Sequence, residues 1–78
     1  MNRLNKLAVN PEGFIFDPCG GEMFTVNATG LRILNGLREQ KSANMIAREL
    51  TKVFNKSQEQ IEKDIMDFKS QLRVFHLL

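Results

Sequence analysis

The sequence is poor in the side chains from which catalytic and metal sites are built: it has one cysteine, one histidine, no tyrosine and no tryptophan. A single cysteine cannot form an internal disulfide, so the fold must depend on packing, and nothing indicates an oxidising compartment. Long apolar runs are also absent, in contrast to a membrane-spanning helix or a signal peptide. We therefore expect a cytoplasmic protein with no membrane partner.

Few residues remain for side-chain catalysis. Cys19 would need a partner that stabilises its thiolate, and the one imidazole, that of His76, lies at the other end of the chain. These two residues are also a weak signal for a metal site, and Gly20-Gly21 lacks the spacing and the lysine of a phosphate-binding loop. We therefore predict a protein that is not an enzyme and has no cofactor or metal, with Cys19 as an incidental residue of a hairpin turn.

The sequence also lacks a large excess of charge of one sign. The formal net charge is +2, from 11 basic and 9 acidic residues. Proteins that bind nucleic acids usually concentrate positive charge on one face, and no segment of this sequence does so. A chain of 78 residues with 42% hydrophobic residues is expected to form a single domain over residues 1–78.

Short strands separated by turns are predicted in the first third of the chain. Leu4 to Val9 is a candidate strand, and Asn10 to Gly13 has the residue types of a type I turn. Phe14 to Phe16 is a second strand, Asp17 to Gly21 a second turn, and Met23 to Val26 a third strand. Connections this short favour antiparallel neighbours, which predicts a three-stranded meander.

The third strand is the part of this meander that bears on function. Phe24 and Val26 share one of its faces, and Met23 and Thr25 share the other. In a meander the strand is an edge unless a helix covers it or the pairing order places it in the centre. An uncovered edge without charge or proline is suited to accept an extended peptide as an additional strand.

Three helices are predicted after the strands, each preceded by a residue that is favourable as an N-cap. They extend from Ala28 to about Gln40, from Ala43 to about Phe54 and from just after Ser57 to about Phe75, with Asn27, Ser42 and Ser57 as caps. The third helix has the most regular apolar stripe, formed by Ile61, Ile65, Phe68, Leu72 and Phe75. The order of elements predicts an α+β fold with the helices on one face of a small sheet.

Three helices with a β-ribbon are also typical of winged helix-turn-helix proteins that bind DNA, and this is the alternative function. In that class the third helix enters the major groove. Between Ser57 and Phe75 this chain has three basic and four acidic residues. A net-acidic helix is a poor candidate for contacts with phosphates, so we expect no nucleic acid partner.

The run from Gly13 onwards resembles the PqqD family of small peptide chaperones. The resemblance rests on FIFD, on a turn with glycine, and on MFTVNATGLRILNGL, in which a capping asparagine precedes a Thr-Gly pair and an apolar helix. It continues through SANMIARELTKVF and IEKDIMDFKSQLRVFHLL, where an acidic-apolar pair, an aromatic, a leucine and a closing apolar pair recur. The family often has glycine where this chain has His76, which affects only the geometry of the tail.

The resemblance implies a fold, a ligand and a partner. The fold is winged-helix-like, with a three-stranded antiparallel sheet followed by three helices. The ligand is the leader peptide of a ribosomally made precursor, which joins the third strand and is presented to a modifying enzyme, often of the radical S-adenosylmethionine type; the founding pathway makes pyrroloquinoline quinone. The implied peptide-binding residues are Met23, Phe24, Thr25 and Val26 on the strand and Ile61, Asp64, Ile65 and Phe68 on the helix. We expect a monomer or a weak dimer.

Overall fold

The computed structural model describes residues 4–78 as a three-stranded sheet followed by three helices. The strands are β1 (Ala8–Val9), β2 (Phe14–Asp17) and β3 (Glu22–Thr25). The helices are α1 (Ala28–Arg38), α2 (Ala43–Thr51) and α3 (Gln58–Val74). Both strand pairs are antiparallel and the order is β1-β2-β3, so the predicted α+β meander is confirmed. Within residues 4–78, no helix is long and apolar enough to cross a membrane.

The predicted first strand is wrong over most of its length. Leu4–Lys6 forms a single 3-10 turn, and the strand consists of Ala8 and Val9 alone. Leu4 and Leu7 are three residues apart, and both are buried, with exposed fractions of 1% and 4%. A strand would send these two side chains to opposite faces, whereas a turn directs both of them into the core.

The three helix caps are confirmed. The side chains of Asn27, Ser42 and Ser57 accept hydrogen bonds from the backbone N–H groups of Gly30, Met45 and Gln60 respectively. The first two helices end earlier than predicted. Helix α1 closes with Gln40 in the left-handed region (φ 63°), and α2 gives way at Thr51 to a turn that carries Val53 and Phe54.

The core has two parts that meet at α3. Below the sheet lie the buried residues Leu4, Leu7, Ile15, Leu34, Leu72 and Leu77. Among the helices lie Ile33, Ile46, Ala47, Leu50, Ile61 and Ile65. Phe68 packs against both parts. The helix that carries Phe68 is therefore held on two sides, which fixes its position beside the sheet.

Glycines in α1 permit close packing of this short helix. Gly30 and Gly36 are both buried. A Cβ atom on Gly30 would lie 3.2 Å from Val26 Cβ and 3.3 Å from Phe68 Cε1, and one on Gly36 would lie 2.7 Å from Ile46 Cγ1. Glycine is a weak helix former, so at these two positions α1 gives up helix propensity where neighbouring side chains leave little room for a Cβ atom.

Candidate functional site

The free edge of the sheet is formed by β3, which pairs only with β2 among the described residues. The Val26 N–H donates a 2.9 Å hydrogen bond to the Gly13 carbonyl oxygen. Hydrogen-bonded pairs alternate along an antiparallel ladder, so the backbone groups of Phe24 also face β2, whereas those of Met23 and Thr25 point away from the sheet. The edge therefore presents the N–H and C=O groups of Met23 and Thr25.

The side chains of β3 divide between the two faces as the sequence predicted. Phe24 and Val26 are half-buried and face the helices, and Met23 and Thr25 are exposed on the opposite, outer face of the sheet. After Glu22 the strand has no charge, no proline and no break in its register. Natural edge strands are usually protected by one of these features, so this strand is unusually open to pairing.

A groove lies between the edge of β3 and α3. It consists of two cavities of about 360 Å³ and about 170 Å³, which share Thr25, Val26, Phe68 and Gln71 in their linings. The larger cavity is the polar end of the groove and the smaller one is its apolar end. The groove is thus walled by α3 on one side and bordered by unpaired backbone on the other.

The polar end contains a small network of charged and amide groups. Asp64 accepts hydrogen bonds from Lys56 Nζ and from Gln60 Nε2, each at 3.2 Å. Asp67, one turn further along α3, also lines this cavity and is exposed. The ion pair of Lys56 with Asp64 links the residues just before α3 to the groove-facing side of the helix.

The apolar end of the groove is shaped by the C-terminal cap of α3. His76 adopts the left-handed conformation (φ 59°), its N–H bonds to Arg73, and the Leu77 N–H bonds to the Leu72 carbonyl at 2.8 Å. This is the Schellman arrangement, which returns Leu77 to the core beside Leu72. The Phe75 ring lies 4.8 Å from the Phe24 ring, centroid to centroid. The contact joins the end of α3 to β3 and bounds the groove.

The structure separates the eight predicted peptide-binding residues into three groups. Five of them line the groove: Phe24, Thr25, Val26, Asp64 and Phe68. Thr25 does so at its border, although its side chain lies on the outer face. Met23 lies on the edge strand, but its side chain points to the outer face and is 68% exposed. Ile61 and Ile65 are 0% exposed and belong to the core between the helices. They support the wall of the groove and do not face it.

Sequence reasoning missed several residues of the groove. Gln71 lines both ends, and Leu72 and Phe75 line the apolar end. The signal was present in the spacing, because Asp64, Phe68, Gln71 and Phe75 follow one another at intervals of three or four residues and therefore share a helix face. The predicted set combines Asp64 and Phe68 of this face with Ile61 and Ile65, which α3 buries against the other helices.

Neither of the residues considered for catalysis lines the groove. Cys19 is exposed in the hairpin between β2 and β3, where its N–H donates to Asp17 Oδ1 at 3.0 Å. The predicted hairpin over this stretch is confirmed. Among residues 4–78 no three histidine, cysteine or acidic side chains are arranged to hold a metal ion.

The architecture is that of a winged-helix-like α+β domain. The sequence profile of the family described as coenzyme PQQ synthesis protein D (PqqD) matches residues 10–78, and the chain belongs to this family. No curated protein matches the chain.

Two solved structures share the fold. A lasso peptide synthetase B1 complexed with the leader peptide has a TM-score of 0.78 and 24% identity, covering 91% of this chain and 85% of that one. TbiB1 in complex with the TbiA(beta) leader peptide has a TM-score of 0.79 and 25% identity, with coverages of 92% and 85%.

Proposed function

We propose that this chain is a non-catalytic recognition domain that binds the leader peptide of a ribosomally made precursor. The leader adds to β3 as a fourth strand and lies in the groove against α3. The domain then presents the precursor to a modifying enzyme, of which the radical S-adenosylmethionine type is the candidate implied by the family resemblance. We place this activity in the cytoplasm and within a single domain over residues 1–78.

The single observation that carries the proposal is the free edge of β3. An incoming strand would form hydrogen bonds with the N–H and C=O groups of Met23 and Thr25. The mode is known as β-augmentation, in which main-chain bonds supply affinity and neighbouring pockets supply specificity. The two solved structures with this fold, both complexed with leader peptides, support the same assignment.

The walls of the groove are consistent with such a ligand. Alternate side chains of a guest strand would point into the groove, where Phe24 of β3 and the rings of Phe68 and Phe75 offer apolar contact. A guest residue nearer Asp64 and Asp67 would enter a polar environment. Within the groove, a leader that pairs with β3 is therefore recognised at positions two residues apart.

The alternative, a winged-helix protein that binds DNA, receives no support from the comparisons. In the structure the exposed side of α3 still carries acidic residues, and two of these, Asp64 and Asp67, border the groove. Phosphate backbones are repelled by such a surface.

Amide hydrogen exchange tests the proposal directly. In the free domain the Met23 and Thr25 amides should exchange rapidly, and those of Phe24 and Val26, which face β2, should be protected. Addition of a leader peptide that binds the domain should protect Met23 and Thr25 and leave the other two unchanged. Binding that protects no amide of β3 would rule out strand addition.

A further inference from the structure

The outer face of the sheet, opposite the groove, carries an apolar surface that the groove does not explain. Phe14, Phe16 and Met23 are 49%, 40% and 68% exposed, and we call these three residues the outer patch. They border a shallow cavity of about 330 Å³ together with residues of β1 and the turn after it. Contiguous exposed apolar side chains on a small protein usually mark a binding surface.

The register of the sheet places this patch next to the free edge. Phe16 is directly opposite Met23, and Phe14 is opposite Thr25. Met23 therefore has Phe16 on one side and, on the other, the position that an added strand would occupy. The outer patch is continuous across β3 with the proposed binding site of the leader.

We infer that the outer patch binds the second face of the same guest strand, so that the preferred ligand is apolar at two consecutive positions. One of these side chains enters the groove beside Phe24, and its neighbour along the guest packs on Met23 on the outer face. This inference rests on the proposed function, since it takes strand addition to β3 as given.

The geometry of strands requires that guest side chains emerge alternately on both faces of the sheet. On the groove face they meet Phe24 and α3. On the outer face the nearest side chains are those of Met23 and Thr25. Because Met23 is backed by Phe16, an apolar guest residue opposite Met23 joins an existing apolar row, whereas a charged residue there loses solvation.

A second copy of the chain is a weaker candidate for this surface. Stable dimers bury about 800 Å² on each partner. Three side chains on two four-residue strands present much less than this. The area suits a single guest side chain better, as a supplement to the main-chain bonds of the edge.

The test uses a displayed library of random peptides of about twelve residues as the probe, selected against the wild-type domain and against Met23→Ser. The matched control is Met66→Ser, because Met66 is a methionine on α3 that is 57% exposed and lines neither the groove nor the cavity of the outer face. Peptides selected by the wild type and by Met66→Ser should carry adjacent apolar residues. Those selected by Met23→Ser should keep only the groove-facing one.

A double-mutant cycle then measures the contact. A selected peptide and its variant with serine at the outer apolar position are titrated against the wild type, Met23→Ser and Met66→Ser. Cross-strand pairs predict that the serine peptide loses about two- to fivefold in affinity for the wild type and much less for Met23→Ser. The loss should be the same for Met66→Ser as for the wild type.

The outcomes separate this inference from the proposed function. One outcome is that selected peptides protect the Met23 and Thr25 amides but show no coupling to Met23 in the double-mutant cycle. In that case the domain recognises guest side chains on the groove face only, and the inference is wrong. If selected peptides bind without protecting these amides, strand addition itself fails, and the inference with it. Circular dichroism of each variant shows whether it is folded. The titration of the serine peptide against the wild type involves no substitution in the domain, so misfolding cannot explain its result. Self-association that Met23→Ser abolishes, without a change in peptide preference, would assign the patch to a second copy.

Discussion

The Val26 N–H and the Gly13 carbonyl oxygen form a 2.9 Å hydrogen bond one residue beyond the last pair of the β2-β3 ladder. This bond sets the phase of the ladder and therefore decides which backbone groups of β3 are available. It places the inward groups on Phe24 and Val26 and the outward groups on Met23 and Thr25. The predictions for this edge follow from that alternation.

A proline at position 25 tests whether the outward-pointing backbone groups of β3 bind the leader. Thr25→Pro removes an N–H that points away from the sheet, and proline is tolerated at such edge positions. We expect the domain to stay folded and the leader to bind about tenfold more weakly, equivalent to about 1.4 kcal/mol for one lost hydrogen bond. Isothermal titration calorimetry measures the affinity, and urea unfolding measures the stability.

The comparison is Phe24→Pro, one residue away on the same strand. It removes an N–H that bonds to β2 and also the ring that packs on Phe75, so the free energy of unfolding should fall by about 3 kcal/mol or more. Equal destabilisation by both substitutions would mean that the phase of the ladder is not the one described.

Gly13 is required for the same hydrogen bond. Its φ is +100°, and a Cβ atom at this position would collide with the Val26 carbonyl oxygen. Gly13→Ala should therefore lower the free energy of unfolding by about 2 to 4 kcal/mol, through both strain and the forced separation of β2 and β3. Thermal or urea denaturation measures this loss.

Gly21 provides the comparison for Gly13. It also has a positive φ, of +71°, but a Cβ atom there would meet nothing within 4 Å. Gly21→Ala should cost about 1 kcal/mol, from backbone conformation alone. If the two alanine variants are equally stable, the contact with Val26 is not what demands glycine at position 13.

The order and type of the main elements could be predicted because their signals are local. Asn27, Ser42 and Ser57 mark the helix starts, and the turn residues between the strands dictate antiparallel pairing. The first strand could not be predicted, because Leu4 and Leu7 are apolar residues whose destination depends on a core formed by distant helices. Tertiary packing there prevailed over a local preference.

The candidate site was predicted on the strand and only partly on the helix. Alternation along β3 assigns Phe24 and Val26 to one face without any knowledge of the partner. Helix α3 is apolar over more than one face, so its sequence does not reveal which apolar residues are buried between helices and which border the groove. Ile61 and Ile65 proved to be buried, and Gln71 and Phe75 line the groove.

Alanine substitutions at Gly30 and Gly36 should distinguish effects on the groove from effects on the stability of the fold. A Cβ atom on Gly30 would press on Val26 and Phe68, which line the groove. Gly30→Ala should therefore weaken leader binding, by about three- to tenfold, while stability changes by no more than about 1 kcal/mol because improved helix propensity offsets the crowding.

Gly36 lies against Ile46, away from the groove. Gly36→Ala should cost about 1 to 3 kcal/mol of stability from overpacking, with unchanged affinity once the fraction of folded protein is taken into account. Titration calorimetry and urea unfolding of the two variants measure both quantities. A Gly36 variant that binds more weakly than the Gly30 variant would contradict this division.

The buried isoleucines of α3 should affect binding only through folding. Ile65 is 0% exposed, and Ile65→Val removes one methylene from the core between the helices, which typically costs about 1 kcal/mol. We expect the affinity of the folded domain for the leader to stay within about twofold. Phe68 differs, because it packs against both parts of the core and lines both ends of the groove.

Phe68→Leu should therefore lower both stability and affinity, by about 1 to 2 kcal/mol in stability and by about five- to tenfold in affinity. Both quantities are measured by urea unfolding and titration at a temperature at which each variant is fully folded. The pair distinguishes a side chain that supports the groove from one that forms it. A loss of affinity in Ile65→Val as large as that in Phe68→Leu would show that Ile65 contributes directly to leader binding.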